Sequence, residues 1–181
     1  MKEGLTDGLL ADLREGQLDA VLASPTFKAD QLRVIPLFWE PFLIAIPKAH
    51  PLAEKSSLHV SDLKPGEMVL LEEGHCLTDQ TLSFCAPSRR KEVQQFQATS
   101  LETLRHLVAS GLGYSLMPAM AAQGDQRFTK LLEYREFKET TVGRVVCLVA
   151  RSRSSRMNEV EKLAEFLKAN LPEGVRKLSK G

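Results

Sequence analysis

The chain has 181 residues, 43% hydrophobic and 26% charged, which is long enough to bury one or two cores and too polar for a membrane protein. Its 24 Lys and Arg balance 23 Asp and Glu to a net charge of +1, so no basic excess marks a surface for nucleic acid. The opening MKEGLTDG has no signal-peptide apolar core, and no apolar run approaches the roughly 18 residues of a spanning helix. Three cysteines are too few, and odd in number, for a disulfide-built secreted domain. A cytoplasmic chain with reduced thiols and no membrane contact is expected.

Leu5, Leu9, Leu10 and Leu13 recur at helical spacing, with Thr6 as N-cap and Gly16 as the stop. Gln17 to Ser24 suits a buried parallel strand. A second strand covers roughly 32 to 38, and PFLIAIP, Pro41 to Pro47, is a third. The prolines flanking KAHPLAEKS exclude regular structure there. Met68 to Leu71 predicts a strand and Leu77 to Leu82 a short helix, followed by a loop at Pro87-Ser-Arg-Arg. Thr-Ser-Leu-Glu reads as a capping box, Thr99 capping and Glu102 at N3, opening a helix that buries Leu101, Leu104, Leu107 and Val108 and ends at Gly111. Tyr114 to Met117, Phe128 to Tyr134 and Val145 to Ala150 are strands. Met157, Val160, Leu163, Ala164 and Leu167 line one side of a last helix, and RKLSKG is a frayed tail. This alternation implies an α/β fold with mainly parallel sheets. Such a domain normally opens on a core strand, so the helical opening suggests that an upstream strand is missing.

The most informative stretch for chemistry is His75-Cys76-Leu-Thr-Asp-Gln-Thr-Leu-Ser-Phe-Cys85. Cys76 follows a Gly-His turn at a helix N-terminus, where free amides and the dipole favour a thiolate. If 76 to 85 were helical throughout, the two cysteines would lie about 13.5 Å apart along the axis and on opposite faces. A disulfide tolerates Cα separations of only about 4.4 to 6.8 Å, so joining them requires the helix to melt. By spacing alone the pair reads first as two unrelated core cysteines.

Longer segments say more. EEGHCLTDQTLSFC and ATSLETLRHLVASGLGYSLMP, from Ala98 to Pro118, closely resemble the regulatory domain of OxyR-like members of the LysR-type transcriptional regulators, which sense hydrogen peroxide. Gly16-Gln-Leu-Asp19 resembles the family's strand entry, and PLFWEPFLIAIPKAHPLA its crossover into a second subdomain. These motifs are general to the LysR family; the paired cysteines after a histidine are specific to OxyR-like members. The resemblance implies two Rossmann-like subdomains of the periplasmic-binding-protein type II fold, lacking the first strand and helix. Subdomain I would comprise 1–40 plus 151–181, and subdomain II, carrying the cysteines, 41–150.

It further implies that Cys76 reacts with peroxide and Cys85 resolves the product as a disulfide, with Thr6, His75 and Asp79 as neighbours of the peroxide. Thr99 and Ser100 match the effector-cleft helix, and Arg151 matches an arginine at the return crossover. Thr78 departs from relatives that often carry arginine there, removing a positive charge close to the thiol. Expected partners are hydrogen peroxide, a second copy in a homodimer or homotetramer, and promoter DNA through a winged helix-turn-helix absent from this sequence. No cofactor and no enzymatic turnover are expected. The rival function is a LysR-type effector domain holding a small anion or metabolite between subdomains, contacted by Thr99 and Ser100. A zinc site on His75, Cys76 and Cys85 lacks a fourth ligand. Gly111-Leu-Gly113 is a turn and no dinucleotide fingerprint. Cys147 sits in an apolar strand as an inert thiol, and His50, His59 and His106 suit surface or capping positions.

Overall fold

The computed structural model describes residues 1–85, 97–123 and 128–178. In chain order its elements are α1 (Thr6–Arg14), β1 (Ala20–Ala23), β2 (Leu32–Pro47), β3 (Ser57–Leu58), β4 (Leu70–Leu71), α2 (Cys76–Cys85), β5 (Gln97–Ala98), α3 (Leu101–Ala109), β6 (Ser115–Pro118), α4 (Ala119–Ala122), β7 (Leu132–Phe137), β8 (Gly143–Arg151), α5 (Met157–Ala169) and β9 (Arg176–Lys177). They form two units, Met1–Glu40 with Arg144–Gly181, and Pro41–Gly143. The chain passes between them within β2 and returns within β8, so residues 144–150 belong with the first unit.

The first unit is built on β8. Successive side chains of a strand point to opposite faces. Val145, Cys147 and Val149 therefore pack with Leu10 and Leu13 of α1, while Val146, Leu148 and Ala150 pack with Val160 and Ala164 of α5. Burying Leu10 and Leu13 completely stabilises the α1 layer by roughly 1.5–3 kcal/mol each. α1 ends at Gly16, whose φ of +83° a residue with a Cβ would strain to adopt. β1 runs antiparallel to β8, pairing Ala20 with Ala150 and Ala23 with Cys147, and β9 runs antiparallel to Phe38 and Trp39 of β2.

In the second unit β2 pairs antiparallel with both β6 and β7, whereas β3 joins β7, and β4 joins β5, in parallel. Phe42, Ile44, Ile46, Leu58, Leu104 and Leu116 lie in one buried core there. A parallel bridge joins Met68 to Tyr114. It requires Gly113, because a Cβ at that position would stand 2.2 Å from the Glu67 carbonyl oxygen.

The sheets are thus mixed, not mainly parallel, because an apolar run reads the same whichever way its partner points. The strands expected at 32–38 and 41–47 are one continuous β2. The KAHPLAEKS loop contains a 3-10 turn, Pro51–Glu54, with proline at its start where no N–H is needed, and then β3. Its His50 accepts a hydrogen bond from the Leu52 amide at 3.2 Å. The strand expected at 128–134 is displaced to Leu132–Phe137 by a turn in which the Leu131 amide donates to Phe128 O. Leu163 is 44% exposed and off the buried face of α5, and part of the expected frayed tail forms β9. The Pro87-Ser-Arg-Arg loop lies outside the described residues. Among those described, no helix is long and apolar enough to cross a membrane.

Candidate thiol site on the second unit

The side-by-side strands β4 and β5 bring two helix starts to one edge of the second unit. Leu71 pairs with Ala98, and the Glu72 amide donates to Ala98 O at 3.0 Å. β4 then turns through Gly74, whose φ is +94°, into α2, and β5 leads into α3. Ligands of open α/β sheets bind outside the carboxyl ends of parallel strands, and Cys76, Thr99 and Ser100 stand at such an edge.

α2 includes both cysteines as its first and last residues, longer at each end than the helix expected from Leu77 to Leu82. Its first turn is fastened by Thr78, a buried residue whose Oγ1 donates to Leu71 O at 2.9 Å and whose amide donates to His75 O at 2.9 Å. Thr78 lacks the positive charge that relatives often carry at this position, but its hydroxyl ties α2 to the end of β4. The available signal was a hydroxyl residue in the first turn of a helix directly after a strand. Leu77, Gln80 and Thr81 are also buried, so α2 forms part of the core wall.

The three thiols are free and differ in setting. Cys76 is half-buried on the first turn, beside a half-buried His75, with Asp79 exposed on the same turn. Cys85 is buried at the far end of the helix, and desolvation pushes its pKa up to about 12. Cys147 is 1% exposed in the first unit, where burial also raises its thiol pKa. The helical rise of about 1.5 Å per residue separates the ends of α2 by roughly 13.5 Å. Among the described residues no group of three or more His, Cys, Asp or Glu side chains could hold a metal ion.

The structure relocates two caps. The cap of α3 is Ser100, whose Oγ accepts from the Thr103 amide at 3.1 Å. The expected cap, Thr99, is exposed one residue earlier. Glu102, expected to complete a capping box, pairs with Arg105 Nη1 at 2.7 Å. Thr6 is the first helical residue of α1; Leu5 holds the cap position, without a side-chain cap. Thr6 and Arg151 belong to the first unit and His75, Cys76, Asp79 and Cys85 to the second. Arg151 ends β8 and donates through Nη1 to the carbonyls of Leu13 and Leu18, closing the turn after α1. The chain re-enters the first unit at Arg144.

Residues 1–172 match the LysR substrate binding domain family. The chain belongs to that family. As a LysR substrate-binding domain it is 36% identical over 171 residues to the DNA-binding transcriptional dual regulator OxyR of Escherichia coli K12, covering 94% of this chain and 56% of that protein. A probable hydrogen peroxide-inducible genes activator of Mycobacterium leprae is 36% identical over 166 residues, covering 91% and 53%. The chain therefore spans little more than half the length of these curated relatives. The reduced OxyR regulatory domain from Pseudomonas aeruginosa matches with a TM-score of 0.82 at 34% identity, covering 92% of this chain and 80% of that one. This LysR domain is accordingly of the OxyR regulatory-domain type, with a mixed α/β fold like periplasmic binding proteins of type II.

Proposed function

We propose that this domain is the peroxide-sensing part of a DNA-binding transcriptional activator, switched by a reversible disulfide between Cys76 and Cys85. The observation that carries the reading is the placement of a half-buried thiol on the first turn of α2 and a buried one on its last. The Cys76 thiolate attacks one oxygen of hydrogen peroxide and the O–O bond breaks. Sulfur becomes a sulfenic acid and the second oxygen leaves as hydroxide, taking a proton to become water. Cys85 sulfur, giving up its proton, then displaces the sulfenic oxygen as a second water, forming the S–S bond. Two electrons pass from the thiols to one peroxide, and an external thiol reductant returns them.

Peroxide is small and neutral, which suits an edge that also carries the exposed carboxylates of Glu72 and Glu73; an anionic effector there would meet repulsion. Within this reading His75 and Asp79 flank the reacting oxygen, and Thr6 is the neighbour that the family resemblance adds. The protein acts in the cytoplasm as a homodimer or homotetramer and reaches promoter DNA through a winged helix-turn-helix outside this chain.

Thiol alkylation with mass spectrometry after mild peroxide tests the proposal. A single intramolecular Cys76–Cys85 disulfide with Cys147 reduced is expected, and a dimedone-type probe should trap Cys76 in Cys85→Ser. A link to Cys147, or dimedone capture at Cys85 in Cys76→Ser at an equal rate, overturns it.

A further inference from the structure

We propose that the first unit carries a binding site for a small molecule with a pyrophosphate group, in the arginine-lined cavity where α1 and β8 end. This site is independent of the thiol chemistry. The cavity, of about 510 Å³, is lined by Arg14, Gln31, Leu32, Arg151, Ser152 and Arg153, a size within the range of about 300–1,000 Å³ typical of small-molecule sites. Among the described residues, three with guanidinium groups border it and none with a carboxylate does. A multiply charged anion in this cavity would be attracted by all three.

The walls are held in place. Arg151 is fixed by its Nη1 bonds to Leu13 O and, at 2.7 Å, Leu18 O. The bond to Leu13 O also takes up a carbonyl at the end of α1, whose partial negative charge would otherwise oppose an anion. Gln31 has a φ of 60°, a left-handed conformation that is uncommon without glycine. It is pinned by the Ser152 amide, which donates to Gln31 O at 3.0 Å. Arg14 and Arg153 are exposed, and neither makes an ion pair among the described residues. A guanidinium matches a phosphate with two parallel N–H bonds. Three guanidinium groups on one cavity suit a ligand that carries more than one negative charge, as a pyrophosphate does. Leu32 supplies a small apolar wall.

The same chemistry is offered by inorganic pyrophosphate and by a nucleoside diphosphate, so both are titrated into the whole chain by calorimetry at constant ionic strength. Saturable binding with a Kd below about 1 mM is expected for at least one of them. Tighter binding of adenosine diphosphate identifies a nucleotide site, and equal or weaker binding a site for the phosphates alone. The double variant Arg14→Gln, Arg153→Gln should bind about tenfold more weakly, and Lys162→Gln on α5 should bind like the parent. In amide-resolved NMR of the unmutated chain, shifts should concentrate at residues 14, 31, 32 and 151–153, so the proposal stays testable if the double variant folds poorly. No saturable binding of either ligand, unchanged affinity in the double variant, an equal loss in Lys162→Gln, or shifts centred elsewhere overturns the proposal.

Discussion

Arg144 grips Glu40 where the chain passes between its two units: Nε and Nη2 each stand 2.8 Å from Oε2, and the Glu40 side chain has no exposed surface. The pair joins β2 and β8 at the last residue before the chain leaves the first unit and the first after it returns. A carboxylate buried so completely needs a charged or strongly donating neighbour, because desolvating it otherwise costs several kcal/mol.

Arg144→Ala is therefore expected to destabilise the first unit by about 3–5 kcal/mol, and Glu40→Gln, which still accepts from the guanidinium, by less. Urea unfolding followed by the fluorescence of Trp39 measures both. Equal, small losses would show that the carboxylate gains little from its guanidinium.

Thr78→Val removes the hydroxyl bonded to Leu71 O while keeping the side-chain volume. A loss of about 1 kcal/mol is expected, together with faster hydrogen exchange at residues 76–79 and faster alkylation of Cys76. Unchanged exchange there would show that α2 is held by its apolar face alone.

What the sequence makes legible is periodicity. β8 and the buried positions Val160 and Ala164 of α5 stand out because their apolar spacing is long and regular. Pairing direction is not written in such runs: Ala20 to Ala23 read as a parallel strand and pairs antiparallel with β8. Pro41 looked like a strand boundary. It lies instead within β2, between the stretch that pairs with β9 and the stretch that pairs with β6. The α3 cap shifted from Thr99 to Ser100 because both residues can cap and Glu102 has a competing partner in Arg105. The cysteine pair was visible only through family likeness, since spacing alone also described two core residues. Glu40–Arg144 and the arginine cavity unite residues far apart in the chain, and no local pattern announces them.

Alkali should weaken the fold in a defined window. The Cys85 thiol is raised from about 9 to about 12 by desolvation, and the Tyr114 hydroxyl from 10.0 to about 12, also chiefly by burial. Both raised groups keep their protons in the folded chain after the unfolded chain has released them. Their contribution is thus complete below about pH 9 and is lost as pH climbs toward 12. Unfolding free energy measured from pH 7 to 11 should be level at first and then fall, less steeply in Cys85→Ala. A profile of the same slope in that variant would show that other groups dominate.

Gly113→Ala should be among the most damaging single changes in the second unit. Its new methyl meets the Glu67 carbonyl, and the neighbouring bonds from Tyr114 N to Glu67 O and from Val69 N to Tyr114 O would have to yield. A loss of more than about 2 kcal/mol is expected in thermal or urea unfolding; a change within about 0.5 kcal/mol would mean that the bridge shifts freely.

The burial of Leu77, Thr78, Gln80 and Thr81 along α2 has an electrochemical consequence. Closing the proposed bond between Cys76 and Cys85, at opposite ends of the helix, would forfeit that packing, so the reduced form would be favoured by whatever the helix contributes. Each kcal/mol forfeited makes the couple more oxidising by about 20 mV. If the proposed switch operates, the wall of a hydrophobic core thereby sets the reductant level at which it resets. A loosened α2, as in Thr78→Val, would hold its oxidised state in buffers reducing enough to reset the parent.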